Sequence, residues 1–140
     1  MRLSIRNQFP ATIVAVTPGQ VMGTVKARLS GGQEITAAIT LEAVDDLNLV
    51  EGMPVTVVIK STEVAVATGP VSAISIRNRV PGRVVAIDHG AVMTTAKVGI
   101  AGGAELTAAI TREAAVELGL EAGSEVTLLV KSTEVSIGIE

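Results

Sequence analysis

Ile35–Ala43 reads ITAAITLEA, and Leu106–Ala114 reads LTAAITREA. Each begins as a run of β-branched and small residues, reaches Thr40 or Thr111, and turns acidic at Glu42 or Glu113. A hydroxyl residue followed by an acidic first turn is a helix-start signature. The stretch therefore predicts a strand running into a short helix, over Leu41–Leu47 in one case and Arg112–Leu118 in the other. Asn48 and Gly119 follow at matching positions. Both residue types tolerate the left-handed backbone that ends a helix.

The pair belongs to a wider duplication. SIRN occurs at Ser4–Asn7 and at Ser75–Asn78, and KSTEV at Lys60–Val64 and at Lys131–Val135. All three pairs share one offset of about 71 residues, and roughly 32 of 69 aligned positions are identical. The 140 residues thus divide into 1–69, a linker at 70–74 after the Gly69-Pro70 break, and 75–140. Outward from the opening stretch, each copy is β-rich. Val21, Gly23, Val25, Ala27 and Leu29 alternate with polar or exposed types, as do Val55, Val57 and Ile59. Thr12–Val16, Ile35–Ile39 and Val64–Val66 are further strand candidates. Five short strands in about 65 residues predict an all-β chain with short helices, built as two tandem OB-like five-stranded barrels. An open β-sandwich satisfies the same pattern.

Composition excludes several functions. Net charge is −3, which argues against a duplex-binding basic patch. Phe9 is the sole aromatic residue, so the stacking platforms of single-strand binders are missing. There is no Cys and only one His, His89, which removes disulfides, thiolate sites and poly-His metal sites. His89 stands in one copy only, opposite Pro18, and reads as a surface residue. Asp45-Asp46 reads as the wet face of the short helix. Gly31-Gly32 and Gly102-Gly103 read as hairpin turns. No nucleophile–base pair or acid–base dyad is visible, so no enzyme is expected. No apolar run approaches a membrane span, and MRLSIRNQFP lacks the apolar stretch of a secretory signal. The expectation is a cytoplasmic protein with no nucleic-acid or membrane partner. High mean hydropathy for this size points to apolar surface buried between subunits.

The polar residues repeated in both copies are the informative ones: Ser4, Arg6, Asn7, Thr40, Lys60 and Ser61, with Ser75, Arg77, Asn78, Thr111, Lys131 and Ser132. Arg and Lys supply charged N–H donors, Ser and Thr supply hydroxyls, and a helix start supplies free backbone N–H groups. A donor-rich set with two fixed cations per copy suits a small divalent oxyanion. It does not suit a free metal cation, which wants clustered carboxylates. Each residue also has a plainer reading. Thr40 serves as a helix cap, Arg6 as a partner of Glu63, Lys60 as a solvated strand end, and Ser4 and Ser61 as turn residues.

SIRNQFPATI and SIRNRVPGRV resemble the S-x-R-N-x-x-x-G-x-V opening of the Mop domain, found in molbindins and molybdate-responsive regulators. ITAAITLEA and LTAAITREA resemble its central strand-to-helix segment, and VIKSTEVAV and LVKSTEVSI its closing strands. The resemblance covers the chain twice and is to the two-domain molbindins. It implies an OB-like barrel in each unit, a homo-oligomer with a trimer favoured, and oxyanion sites where units meet. Carried over by position, the sites use Ser4, Arg6, Thr40, Ala43, Lys60 and Ser61, and then Ser75, Arg77, Thr111, Ala114, Lys131 and Ser132. Asn7 and Asn78 match the motif as possible additional ligands, or as residues that hold the turn. Ala11 departs from the motif glycine that Gly82 supplies. The implied ligand is molybdate, with tungstate its equal in shape and charge, and no cofactor. The implied role is cytoplasmic storage and buffering of the oxyanion. The alternatives are an oxyanion-sensing module acting on a separate partner protein and, less favoured, an OB-type nucleic-acid module.

Overall fold

The computed structural model describes residues 1–140. The first copy forms β1 (Asn7–Pro18), β2 (Met22–Leu29), β3 (Glu34–Thr40), α1 (Leu41–Asp46), β4 (Pro54–Ile59), a 3-10 turn (Ser61–Glu63) and β5 (Ala65–Ala67). The second repeats it as β6 (Asn78–His89), β7 (Met93–Ile100), β8 (Glu105–Thr111), α2 (Arg112–Glu117), β9 (Glu125–Val130), a 3-10 turn (Ser132–Glu134) and β10 (Val135–Gly138). The strand alternation read from the sequence is realised. Gly23, Val25, Ala27 and Leu29 of β2 face inward and their neighbours face solvent. Val21 falls outside the strand and is exposed.

The long first strand of each copy serves two neighbours. The start of β1 pairs with β4, from Asn7↔Ile59 to Thr12↔Pro54, and its later part pairs with β2, from Ala11↔Leu29 to Pro18↔Gly23. A register shift between Ile13 and Ala15 lets it do both, and β6 has the same shift between Val84 and Ala86. An extra residue on one strand bends it and increases its twist. The outcome is two curled five-stranded sheets.

The sheets are not each built from one copy. Their orders are β10-β4-β1-β2-β3 and β5-β9-β6-β7-β8. After Ile59 the chain does not fold back on β4. The 3-10 turn packs on β8, and β5 pairs with β9 through Ala65↔Leu129 and Ala67↔Thr127. Reciprocally, the second 3-10 turn packs on β3, and β10 pairs with β4 from Val135↔Ile59 to Gly138↔Thr56. Each copy thus closes the other's sheet. The apolar interior follows suit, as one cluster of 27 buried residues drawn from both copies, including Ile13, Val25 and Val57 with Val84, Val98 and Leu128. A unit of about 65 residues has a marginal core alone; here the two are joined as one.

The helix ends behave as the sequence indicates. Thr40 and Thr111 cap α1 and α2, each hydroxyl accepting from the backbone N–H three residues on, Ala43 or Ala114, at 3.1 Å. Asn48 has φ 52° and Gly119 φ 62°, the left-handed residues just beyond each helix. The hairpin glycines Gly32 and Gly102 both have φ 91°. The two hairpin tips touch each other, so closely that a side-chain carbon on Gly31 would run into the Ala101 carbonyl.

Candidate functional site

The ladder register places the repeated cations. Asn78 pairs with Val130 at the end of the β6–β9 ladder, so the next residues outward, Arg77 and Lys131, sit side by side. Asn7↔Ile59 puts Arg6 and Lys60 at the equivalent backbone positions. In the second copy, Ser75, Arg77, Lys131 and Ser132 line one open cleft of about 420 Å³ with Ile74 and Ile76. Arg77 and Lys131 are exposed there, and neither appears in any of the three ion pairs of the chain. Two like charges held together without a carboxylate, beside two hydroxyls, form a local excess of donors.

The first copy is arranged differently. Arg6 does not pair with Glu63. Its Nε donates to the Ser4 carbonyl at 3.2 Å and a terminal nitrogen donates to the Leu3 carbonyl at 2.8 Å. It lines a cleft with Arg2, Leu3 and Gln8 that Lys60 and Ser61 do not share. Ser4 and Lys60 are exposed, and Ser61 is half-buried.

Thr111 lies in a separate depression of about 540 Å³, bordered by Val92, Val116, Glu113 and Glu117. Its two carboxylates make that depression, by itself, a poor host for a dianion. The Ala43 and Ala114 N–H groups are engaged by the capping threonines. Within one chain, therefore, the Ser–Arg–Lys–Ser group and the helix-start group of the second copy do not meet.

Asn7 and Asn78 are 2% exposed, and their amides reach across the molecule. Asn7 Nδ2 donates to the Thr107 carbonyl and its Oδ1 accepts from the Thr107 N–H, both at 2.8 Å. Asn78 makes the same pair with Thr36 at 2.8 Å. The sequence offers no sign of this bond beyond the repetition of the asparagine in both copies at the start of an alternating strand. Arg79, which stands where the first copy has Gln8, is likewise structural. Its guanidinium donates to the carbonyls of Ile76 at 3.0 Å, Ile74 at 2.8 Å and Val71 at 3.4 Å.

His89 is exposed, and its Nδ1 contacts the buried Thr94 hydroxyl at 2.8 Å. No group of three or more His, Cys, Asp or Glu side chains is assembled to hold a cation. No helix is long and apolar enough to cross a membrane.

Duplicated sequence and reciprocal closing strands define a tandem two-unit module. The TOBE domain family matches residues 3–66 and again 74–137, and the chain belongs to that family. Over its full length it is similar to a crystal structure of the cytoplasmic molybdate-binding protein ModG with molybdate bound, at 35% identity and a TM-score of 0.97, covering 100% of both chains. It is 34% identical over 140 residues to the molybdenum-pterin-binding protein MopB of Rhodobacter capsulatus, covering 99% of this chain and 52% of that protein. A single copy is 41% identical to molybdenum-pterin-binding protein 3 of Clostridium pasteurianum over 66 residues, 47% of this chain and 97% of that one. The chain spans about half the length of the curated relatives that it matches from end to end.

Proposed function

We propose that this protein binds molybdate, without catalysis, as a cytoplasmic store and buffer of the oxyanion. The observation that carries the reading is the cleft in which Ser75, Arg77, Lys131 and Ser132 converge with both cations unpaired. The end-to-end likeness to a molybdate-bound protein supports it. Molybdate is a tetrahedral dianion that only accepts hydrogen bonds near neutral pH. Charge-assisted bonds from guanidinium and ammonium are the strong ones for such a ligand. Tungstate offers the same shape and charge.

Ser4, Arg6, Lys60 and Ser61 are the corresponding first-copy residues, gathered once Arg6 swings out, and Thr40, Ala43, Thr111 and Ala114 make the helix-start group, in which an anion takes over the N–H that the threonine holds. Because the second copy's two groups stand in different clefts, a completed site takes one group from each of two chains. Exposed apolar residues beside the helix starts support that association: Val21 and Met22 in one copy, Val92, Met93 and Val116 in the other. A trimer is the assembly proposed. The anion then stabilises the oligomer by mass action, since it binds only the assembled form.

Isothermal titration of the purified protein with sodium molybdate tests the reading. Saturable uptake at micromolar ligand is expected, and its absence overturns the proposal. A second reading, an oxyanion sensor that acts on a separate partner protein, is favoured by the ModE relatives, of which this chain spans about half. Recovery of one specific partner only in the presence of molybdate would select it.

A further inference from the structure

The two copies differ in what the motif arginine does, and the cause lies two residues downstream. Leu3, Ile5, Arg6 and Gln8 of the first copy correspond to Ile74, Ile76, Arg77 and Arg79 of the second. In the first copy Gln8 has one donor arm and reaches only the Ile5 carbonyl, at 2.8 Å. The Leu3 carbonyl is left over, and Arg6 folds back onto it at 2.8 Å and onto Ser4 at 3.2 Å. In the second copy the forked guanidinium of Arg79 takes both equivalent carbonyls, Ile76 at 3.0 Å and Ile74 at 2.8 Å. The carbonyl equivalent to that of Leu3 is thus taken, and Arg77 makes no carbonyl hydrogen bond but stays in the cleft beside Lys131.

The geometry points to Arg79 as a positioning residue that keeps Arg77 free for the oxyanion, making the two sites of the chain unequal, with the Arg77 site filling first. This inference rests on the oxyanion reading of the site. Arg6 must release two carbonyl hydrogen bonds before it can reach an anion near Lys60, whereas Arg77 releases none. Both bonds are exposed, so each is worth only the ordinary net strength of a protein hydrogen bond, and together they make that difference about tenfold in affinity.

The exchange variants Arg79→Gln and Gln8→Arg test it, with Arg79→Lys as a third. Two measurements are made. Arginine Nε–H signals in 15N-labelled protein, recorded without ligand, report which guanidiniums are held. Calorimetric titration with sodium molybdate reports the sites, assigned with Arg6→Ala and Arg77→Ala. In the wild type the Arg6 Nε–H is expected to be protected from exchange and that of Arg77 is not. Arg79→Gln transfers protection to Arg77 and weakens the tighter site about tenfold with the weaker unchanged. Gln8→Arg releases Arg6 and tightens the weaker site by a similar factor. Arg79→Lys keeps the charge but loses the fork. It therefore behaves as Arg79→Gln; retention of wild-type affinity by Arg79→Lys assigns the effect to charge and overturns positioning. Equal sites in the wild type, or Arg77 signals unmoved by Arg79→Gln, also overturn it. If the wild type takes up no molybdate, the functional reading falls, and the carbonyl competition stands or falls on the arginine signals alone.

Discussion

Asn7 of β1 and Thr107 of β8 are joined as a two-pronged amide pair, 100 residues apart in sequence, with both bonds at 2.8 Å. Asn78 and Thr36 repeat the arrangement from the opposite side. The same asparagines stand next to the motif arginines, so the bonds that tie the two sheets together also fix the ends of the strands that present Arg6 and Arg77. Structure and site share one anchor in each copy.

Removing that anchor is costly. Asn7→Ala deletes the two hydrogen bonds to Thr107 and a longer one, at 3.5 Å, to the Ser61 hydroxyl, and leaves the Thr107 N–H and carbonyl without their partner. The loss is expected to be about 2–3 kcal/mol, read as a lowered urea midpoint. Asn78→Ala should come close to it, because Asn78 makes the same two-bond pair with Thr36. An unchanged midpoint in both variants would show that water replaces the amide at no cost.

The reciprocal closing strands predict how a single copy behaves. Residues 1–69 alone leave the β4 edge without β10 and leave β5 without β9. Two such fragments satisfy one another by the same exchange. Sedimentation of the 1–69 fragment should give a dimer or a larger even-numbered species, and unfolded chain at low concentration. A folded monomer would contradict the prediction.

In the second-copy cleft, Arg77→Ala and Lys131→Ala each remove one charge-assisted donor. Both side chains are exposed and unpaired, so folding should be undisturbed while molybdate affinity falls at least about tenfold. Calorimetry paired with thermal melting separates the two effects. Unchanged affinity in both variants would refute the residue assignment.

Glu34 offers a check on surface electrostatics. The hydrogen bond from Arg28, at 2.7 Å, holds its carboxyl below the usual glutamate range; burial works weakly against this, and the charges of Arg28 and Lys26 add to it. A depressed folded value means that the stabilisation is present above the unfolded value and disappears as pH falls through the folded one. The pair is exposed, so its effect on stability is small. Carbon-detected NMR titration should show Glu34 titrating below the usual glutamate range, and Arg28→Ala should erase most of the difference.

Much of the architecture was legible in the residues. Period-two alternation located the strands because one face of each is buried. Thr40 and Thr111 marked the helix starts, and Asn48 and Gly119 their ends, because caps depend on local chemistry. The exchange of β5 and β10 was not legible. Both copies carry the same KSTEV turn, and a closing strand such as Val135–Gly138 suits either sheet equally, so only the assembled packing decides between them. The site was legible as a set of donors but not as a geometry. Arg6 and Arg77 are identical in sequence context for four residues and differ in conformation through Gln8 and Arg79, which composition cannot weigh. Nothing in the sequence distinguished Asn7 as a cross-sheet bond from Asn7 as a ligand.

Val135 lies on Ile59, and Ala65 lies on Leu129. Duplicated segments ordinarily become free to diverge, since a lesion in one leaves its twin intact. Here a change in either tail is suffered by the opposite half, so neither can decay privately. The tandem chain is a knotted inheritance: whatever specialisation the halves acquire must arise at their rims, while the seams between them evolve as one.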